Sequence, residues 1–180
     1  FGVHEGSTFT VFEYVEGRTL RQLLLRCGRM PLLEVQALAT ALARSLDYAH
    51  SLGVVHRDLK PENICMAAGG QPKILDFGVA RDLHSESDIG EFCGTPQYAS
   101  PEQASCLPAT GRADQYSLGL VIFELLSGMK PFVSADLLDL LRQHRECEPP
   151  DLRTHCPNLP EAAASAVRRA PSRPSPGSPR

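Results

Sequence analysis

The chain has 180 residues, 42% of them hydrophobic and 22% charged, with a formal net charge of −3 at pH 7. That suits about one globular domain with a sizeable core, and it gives no electrostatic footing for nucleic acid or an anionic membrane surface. Six cysteines, none in a C-x-x-C pair, fit neither a zinc site nor a compact disulfide framework and point instead to reduced thiols in the cytoplasm.

In chain order, the β-branched and aromatic run Thr8 to Val15 predicts a strand. Glu16-Gly17-Arg18 reads as a polar break before a short helix from Thr19 to about Cys27. Pro31 stands where a helix would start. Val35, Leu38, Ala39, Leu42, Leu46 and Ala49 follow at helical spacing, with Gly53 as a stop. Val54-Val55, Ile64 to Met66 and Lys73 to Leu75 are strand-like, with a Gly69-Gly70 turn before the last. Asp82 to Gly94 lacks periodicity and is expected to be a mobile loop. Arg112 to Leu126 carries apolar residues around its whole circumference, the pattern of a central, mostly buried helix. The apolar run within it, Leu118 to Leu126, is broken by Glu124 and is far short of a membrane span. No leader-like segment opens the chain. Ser134 is the expected N-cap of a surface helix from Ala135 to His144. Another helix is expected from Pro160 to Arg169, and the Pro/Ser-rich residues 171–180 are expected to be disordered.

Two motifs carry the chemistry. His56-Arg57-Asp58-Leu59-Lys60-Pro61-Glu62-Asn63 is followed closely by Asp76-Phe77-Gly78. Together they supply a potential base, a cation and two oxygen-bearing metal ligands. Phosphoryl transfer from a nucleotide needs that set, because the moving group is highly charged and is handled by positioned charge and Mg²⁺. The motifs fall on loops between short strands, where a rigid scaffold can present them.

From about Val11 to Arg169 the chain resembles the eukaryotic-like serine/threonine protein kinases of bacteria, through these motifs in their proper order. The resemblance implies an α+β kinase-like fold, mostly a helical C-lobe with short strands around the catalytic loop. Residues 1–18 would be the end of an N-lobe plus hinge, 19–170 a truncated C-lobe and 171–180 a tail. It implies transfer of a phosphoryl group from Mg²⁺-ATP to a protein Ser or Thr, with ATP and Mg²⁺ as cofactors and a protein as partner.

Residue by residue, Asp58 matches the catalytic aspartate that orients the hydroxyl and accepts its proton. Lys60 matches the lysine that steadies the phosphoryl group. Asn63 and Asp76 match the metal ligands. His56, Phe77 and Gly78 match the scaffold joining the two motifs. Arg57 matches a cation that pairs with a loop phosphate, for which Ser85 and Ser87 are the candidates. Asp114 matches a buried aspartate that bonds the catalytic-loop backbone, with plain helix capping as the alternative. Phe12 to Gly17 looks like the hinge, where the Glu13 carbonyl and the Val15 amide would face adenine beside a Phe12 gatekeeper. Thr19 would lie near the ribose and Cys65 beneath the base. Gly94-Thr95-Pro96 resembles the loop that cradles the peptide, Thr95 bonding near Asp58 and Lys60. Glu62 either reads a basic residue of the peptide or is a solvated acid. Glu102 ends that loop and would pair with an arginine that has no match here.

No Gly-rich loop and no V-A-I-K-like lysine match, so the N-lobe is expected to be largely absent and the segment inactive alone. Two rival readings remain. One is a non-catalytic kinase-like binding module. The other, an aminoglycoside-type phosphotransferase, gives no role to Thr95-Pro96 or Ser100-Pro101-Glu102.

Overall fold

The computed structural model describes residues 2–4, 7–9, 11–77, 81–82 and 94–169. Strands β1 (Gly2–His4) and β2 (Ser7–Phe9) form an antiparallel pair. The strand expected over Thr8 to Val15 stops at Phe9, and residues 11–16 form no ladder. Val11, Phe12 and Tyr14 are 75%, 60% and 88% exposed, so their β-propensity meets no packed face on which to act.

A strand forms instead where a polar break was expected. β3 (Gly17–Thr19) pairs antiparallel with β5 (Ile64–Ala67), which pairs with β6 (Pro72–Ile74). Gly17 permits this: a Cβ there would stand 2.2 Å from the Met66 carbonyl oxygen. Two-residue strands β4 (Val54–Val55) and β7 (Arg81–Asp82) form a third antiparallel pair.

Helix α1 (Leu20–Cys27) starts in a capping box: the Thr19 hydroxyl accepts from the Gln22 amide and the Gln22 side chain from the Thr19 amide. It ends at Gly28, φ 74°. Helix α2 (Leu32–Ser51) follows Pro31 and stops just before Gly53, φ 78°. Helix α3 (Pro101–Ala104) and the central α4 (Gly111–Ser127) follow. α4 closes on Gly128 in the left-handed region. Helix α5 (Leu137–Glu146) is capped by Asp136, whose side chain accepts from the Leu138 amide. Ser134, the expected cap, instead accepts from the Asp136 amide and turns the chain into the cap. Helix α6 is Glu161–Arg169. No described helix is long and apolar enough to cross a membrane.

The core lies around α4. Leu118, Leu120, Val121, Phe123, Leu125 and Leu126 join Val35, Leu38, Leu42 and Leu46 of α2 and Leu20 and Leu24 of α1. Leu59 and Ile64, flanking the motif turn, are also fully buried in it. Each such side chain contributes about 1.5–3 kcal/mol of burial, which anchors the loops between them. The architecture is the α+β, predominantly helical one expected from the sequence.

Candidate functional site

The loop between β4 and β5 gathers the motif residues. Lys60 Nζ lies 2.6 Å from Asp58 Oδ2, and the Thr95 hydroxyl donates to Asp58 Oδ1 at 2.6 Å. Lys60 Nζ also donates to Thr95 Oγ1 at 2.7 Å. Asn63 Nδ2 donates to the Asp58 carbonyl at 2.9 Å. Three residues from two distant segments thus converge on Asp58, whose carboxylate stays partly open to solvent.

Asn63 has its nitrogen turned toward Asp58, which leaves Oδ1 accepting no hydrogen bond among the described residues. The Leu75 amide donates to the Asn63 carbonyl at 2.7 Å, so Asp76 follows directly on a residue tied to Asn63. Asp76 has φ 64°, is exposed, and has no ion pair or hydrogen bond to its carboxylate among the described residues. No group of three His, Cys, Asp or Glu suited to a metal occurs among them. An amide oxygen and a free carboxylate are hard donors of the kind Mg²⁺ accepts when phosphate and water complete its shell.

His56 ties the two motifs together. Its Nδ1 accepts from the Asp58 amide at 3.2 Å, so Nε2 carries the hydrogen and donates to the Leu75 carbonyl at 2.9 Å. Its ring meets Phe77 edge-on at 4.8 Å between centroids. Gly78 and the loop serines lie outside the described residues. Arg57 has φ 68°, an unusual conformation for any residue but glycine. Asp114 holds it there: Oδ2 accepts from the His56 amide and Oδ1 from the Arg57 amide, both at 2.8 Å. Asp114 is fully buried, and the capping of α4 falls to Thr110, whose hydroxyl accepts from the Arg112 amide. Helix capping is therefore not the role of Asp114.

The loop carrying Thr95 is held by residues that the sequence did not mark. The Gln103 side chain donates to the Arg57 carbonyl at 2.6 Å and exchanges capping-box bonds with Ser100. The S-x-x-Q signature with proline after the serine was there to be read. A Cβ on Gly94, φ 119°, would stand 2.9 Å from the Arg57 carbonyl oxygen. His50 Nε2 lies 2.8 Å from Asp114 Oδ2. Glu102 is half-buried, and no cation pairs with it among the described residues. Solvent therefore softens the penalty expected for a fully buried orphan charge.

Glu62 is exposed and paired within the chain. Arg21 Nε donates to its Oε1 at 2.7 Å. The same guanidinium reaches Glu124 Oε1 at 2.8 Å and the Tyr98 hydroxyl at 2.6 Å, and Tyr98 donates to Glu124 Oε2 at 2.5 Å. Burial, then the hydrogen bond to Glu124, push the Tyr98 phenol well above its ordinary range. For Arg21, burial works against the charge, but the bonds to Glu124 and Glu62 outweigh it and strengthen the cation.

Along residues 11–16, Phe12 is exposed, and the Glu13 carboxylate pairs with Lys73 at 2.8 Å, a hydrogen bond that lowers its pKa. Neither the Glu13 carbonyl nor the Val15 amide bonds another described backbone group. Thr19 and buried Cys65 stand opposite each other in the β3–β5 register. The Thr19 hydroxyl is already engaged in capping α1.

The sequence profile described as "Protein kinase domain" matches residues 3–165. Among curated relatives, the probable serine/threonine-protein kinase PknB of Lactococcus lactis is 33% identical over 94% of this chain and 27% of its own length. Serine/threonine-protein kinase PknL of Mycobacterium tuberculosis is 38% identical over 91% of the chain and 43% of its own length. PknA of the same organism is 40% identical over 87% and 36% respectively. The chain thus spans less than half the length of these relatives.

Proposed function

Because the chain belongs to the protein kinase domain family, we propose that the protein transfers the γ-phosphoryl group of Mg²⁺-ATP to a serine or threonine hydroxyl of a protein. The observation that carries this is the convergence of Lys60, Thr95 and Asn63 on Asp58. Asp58 Oδ2 accepts from both Lys60 and Asn63, whereas Oδ1 accepts only from Thr95 among the described residues. Oδ1 therefore keeps a lone pair that can hold the acceptor hydroxyl and take its proton as the new O–P bond forms and the bond from the γ-phosphorus to ADP breaks. Lys60 and Thr95 keep the carboxylate aimed. Lys60 also brings positive charge to the phosphoryl group, stabilising charge that grows in the transition state.

Asn63 Oδ1 and the Asp76 carboxylate are the residues that would hold Mg²⁺. When bound, the ion neutralises charge on the phosphate oxygens. The adenine edge would meet the Glu13 carbonyl and the Val15 amide, with Phe12 beside it, Thr19 toward the ribose and Cys65 beneath the base. Gly94, Thr95 and Pro96 would cradle the peptide. Loop phosphorylation near Arg57 and a cytoplasmic setting are proposed with this reading, the latter on the thiol spacing.

Steady-state kinetics of the full-length protein with labelled ATP and a threonine peptide test it. Asp58→Asn should cut kcat by on the order of 10²–10⁴ with little change in nucleotide affinity. Asp76→Asn should instead weaken use of Mg²⁺-ATP. Equal loss of nucleotide binding in both variants would overturn the assignment.

A further inference from the structure

The side chains bonded to Arg21 neighbour in sequence the residues gathered at Asp58. Glu62 lies between Lys60 and Asn63, both of which bond Asp58, and Tyr98 comes three residues after Thr95, which bonds it too. The recess made by Glu62, Glu124 and Tyr98 therefore borders both halves of the site around Asp58. Its two carboxylates come from different elements, the turn Pro61–Asn63 and helix α4, yet both are aimed at one point. The guanidinium of the chain's own Arg21 occupies that point, using its Nε, Nη1 and Nη2. The Glu62 side chain is 44% exposed and that of Arg21 21%, so the recess opens to solvent.

We propose that Arg21 is a specificity-determining residue. It fills from within the chain an acidic recess that would otherwise draw an arginine or lysine of the peptide, and so turns the site away from basic sequences. The inference rests on the kinase reading above. With Arg21 in place, two carboxylates share one cation, and a second guanidinium would meet paired acids and a like charge. Without Arg21, two negative charges would face the peptide, one of them almost wholly buried in Glu124. A strap that merely pins α1 to α4 would respond differently. Its loss would lower stability but leave basic and neutral peptides bound alike.

The test is fluorescence anisotropy on the full-length protein. The probe is a labelled alanine–glycine peptide with one threonine, together with variants carrying a single arginine stepped through the flanking positions. The wild type should bind the whole set within about threefold. Arg21→Gln should bind at least one arginine variant about tenfold more tightly than the parent peptide, with the gain shrinking as salt is raised. A tenfold arginine preference already present in the wild type would overturn the proposal. So would no gain in Arg21→Gln that circular dichroism shows to be folded. If that variant does not fold, Arg21→Gln with Glu124→Gln removes the orphaned buried charge and leaves Glu62 bare. There a gain of roughly threefold is expected, and none would overturn the proposal. Phosphoryl transfer to the plain threonine peptide is followed in parallel. Its absence from the wild type would count against the kinase reading, while the binding comparison still decides Arg21.

Discussion

Replacing Asp114 by asparagine should strike the site without touching any reacting group. The carboxylate is fully buried and accepts from the His56 and Arg57 amides at 2.8 Å each, with His50 Nε2 also 2.8 Å away. A carboxamide keeps one oxygen, so one amide retains its partner while the other faces an NH₂ donor. Leaving that buried N–H unsatisfied costs about 1–3 kcal/mol. Arg57 at φ 68° carries strain of about 1–2 kcal/mol, held by these bonds and by the Gln103 bond to its carbonyl; the strain is present in both proteins and cancels in the difference. The loss, about 1–3 kcal/mol, is a sizeable part of a domain's ~5–15 kcal/mol. At about 2–4 °C per kcal/mol for a chain of this size, the melting temperature should fall by roughly 2–12 °C. Thermal melts followed by circular dichroism measure the fall, and amide hydrogen exchange reports on His56 and Arg57 directly. A melt within about 2 °C of wild type, with both amides as protected as before, would refute the reasoning.

Two glycine substitutions should separate the halves of the site. Gly94→Ala places a Cβ 2.9 Å from the Arg57 carbonyl oxygen at φ 119°, straining the Thr95 loop by about 1–3 kcal/mol; peptide KM should rise while the nucleotide Kd holds. Gly17→Ala places a Cβ 2.2 Å from the Met66 carbonyl oxygen and should pry β3 from β5, so nucleotide binding measured by calorimetry should weaken first. His144 is buried against Tyr116 and Phe132, and burial lowers its pKa to about 4, only partly offset by the Pro96 backbone carbonyl as an acceptor for the ring. The unfolded chain therefore takes up this proton first as pH falls, so stability is full above about pH 6.5 and drains away between there and 4, by up to roughly 3 kcal/mol. Urea unfolding at pH 7.5 and 5 should show a smaller loss for His144→Phe than for wild type; equal losses would discount His144.

What the sequence disclosed was whatever is local. Helices α1, α2, α4 and α6 announce themselves through periodicity, a capping threonine and stop glycines. The 56–63 and 76–77 motifs are contiguous and therefore visible. The misplaced strand at residues 8–15 and the missed strand at 17–19 share one cause: a strand exists only with a partner. Gly17 gains one because its missing side chain admits Met66, whereas Val11 to Tyr14 face solvent. Arg21, Tyr98 and His50 were illegible for a similar reason. Their partners lie far along the chain, Arg21 bonding Glu124 across 103 positions.

Helix α4 shows how those distant pieces are held in register. On a mostly apolar, buried rod it carries three buried polar side chains, Asp114, Ser117 and Glu124. At 100° per residue, offsets of three and ten bring all three to nearly the same face. Asp114 bonds the 56–57 backbone, Ser117 donates to the Tyr98 carbonyl at 2.7 Å, and Glu124 accepts from Tyr98 and Arg21. An all-apolar α4 would bury its surface at least as well, since each buried polar group must first shed its water. It would not fix the height of one loop against the other. The polar stripe does, because each member has one set of partners that satisfies it and any slip along the rod leaves a buried group unmatched. The alignment of Thr95 with Asp58, on which the proposed chemistry depends, thus traces to polar residues buried on the central helix.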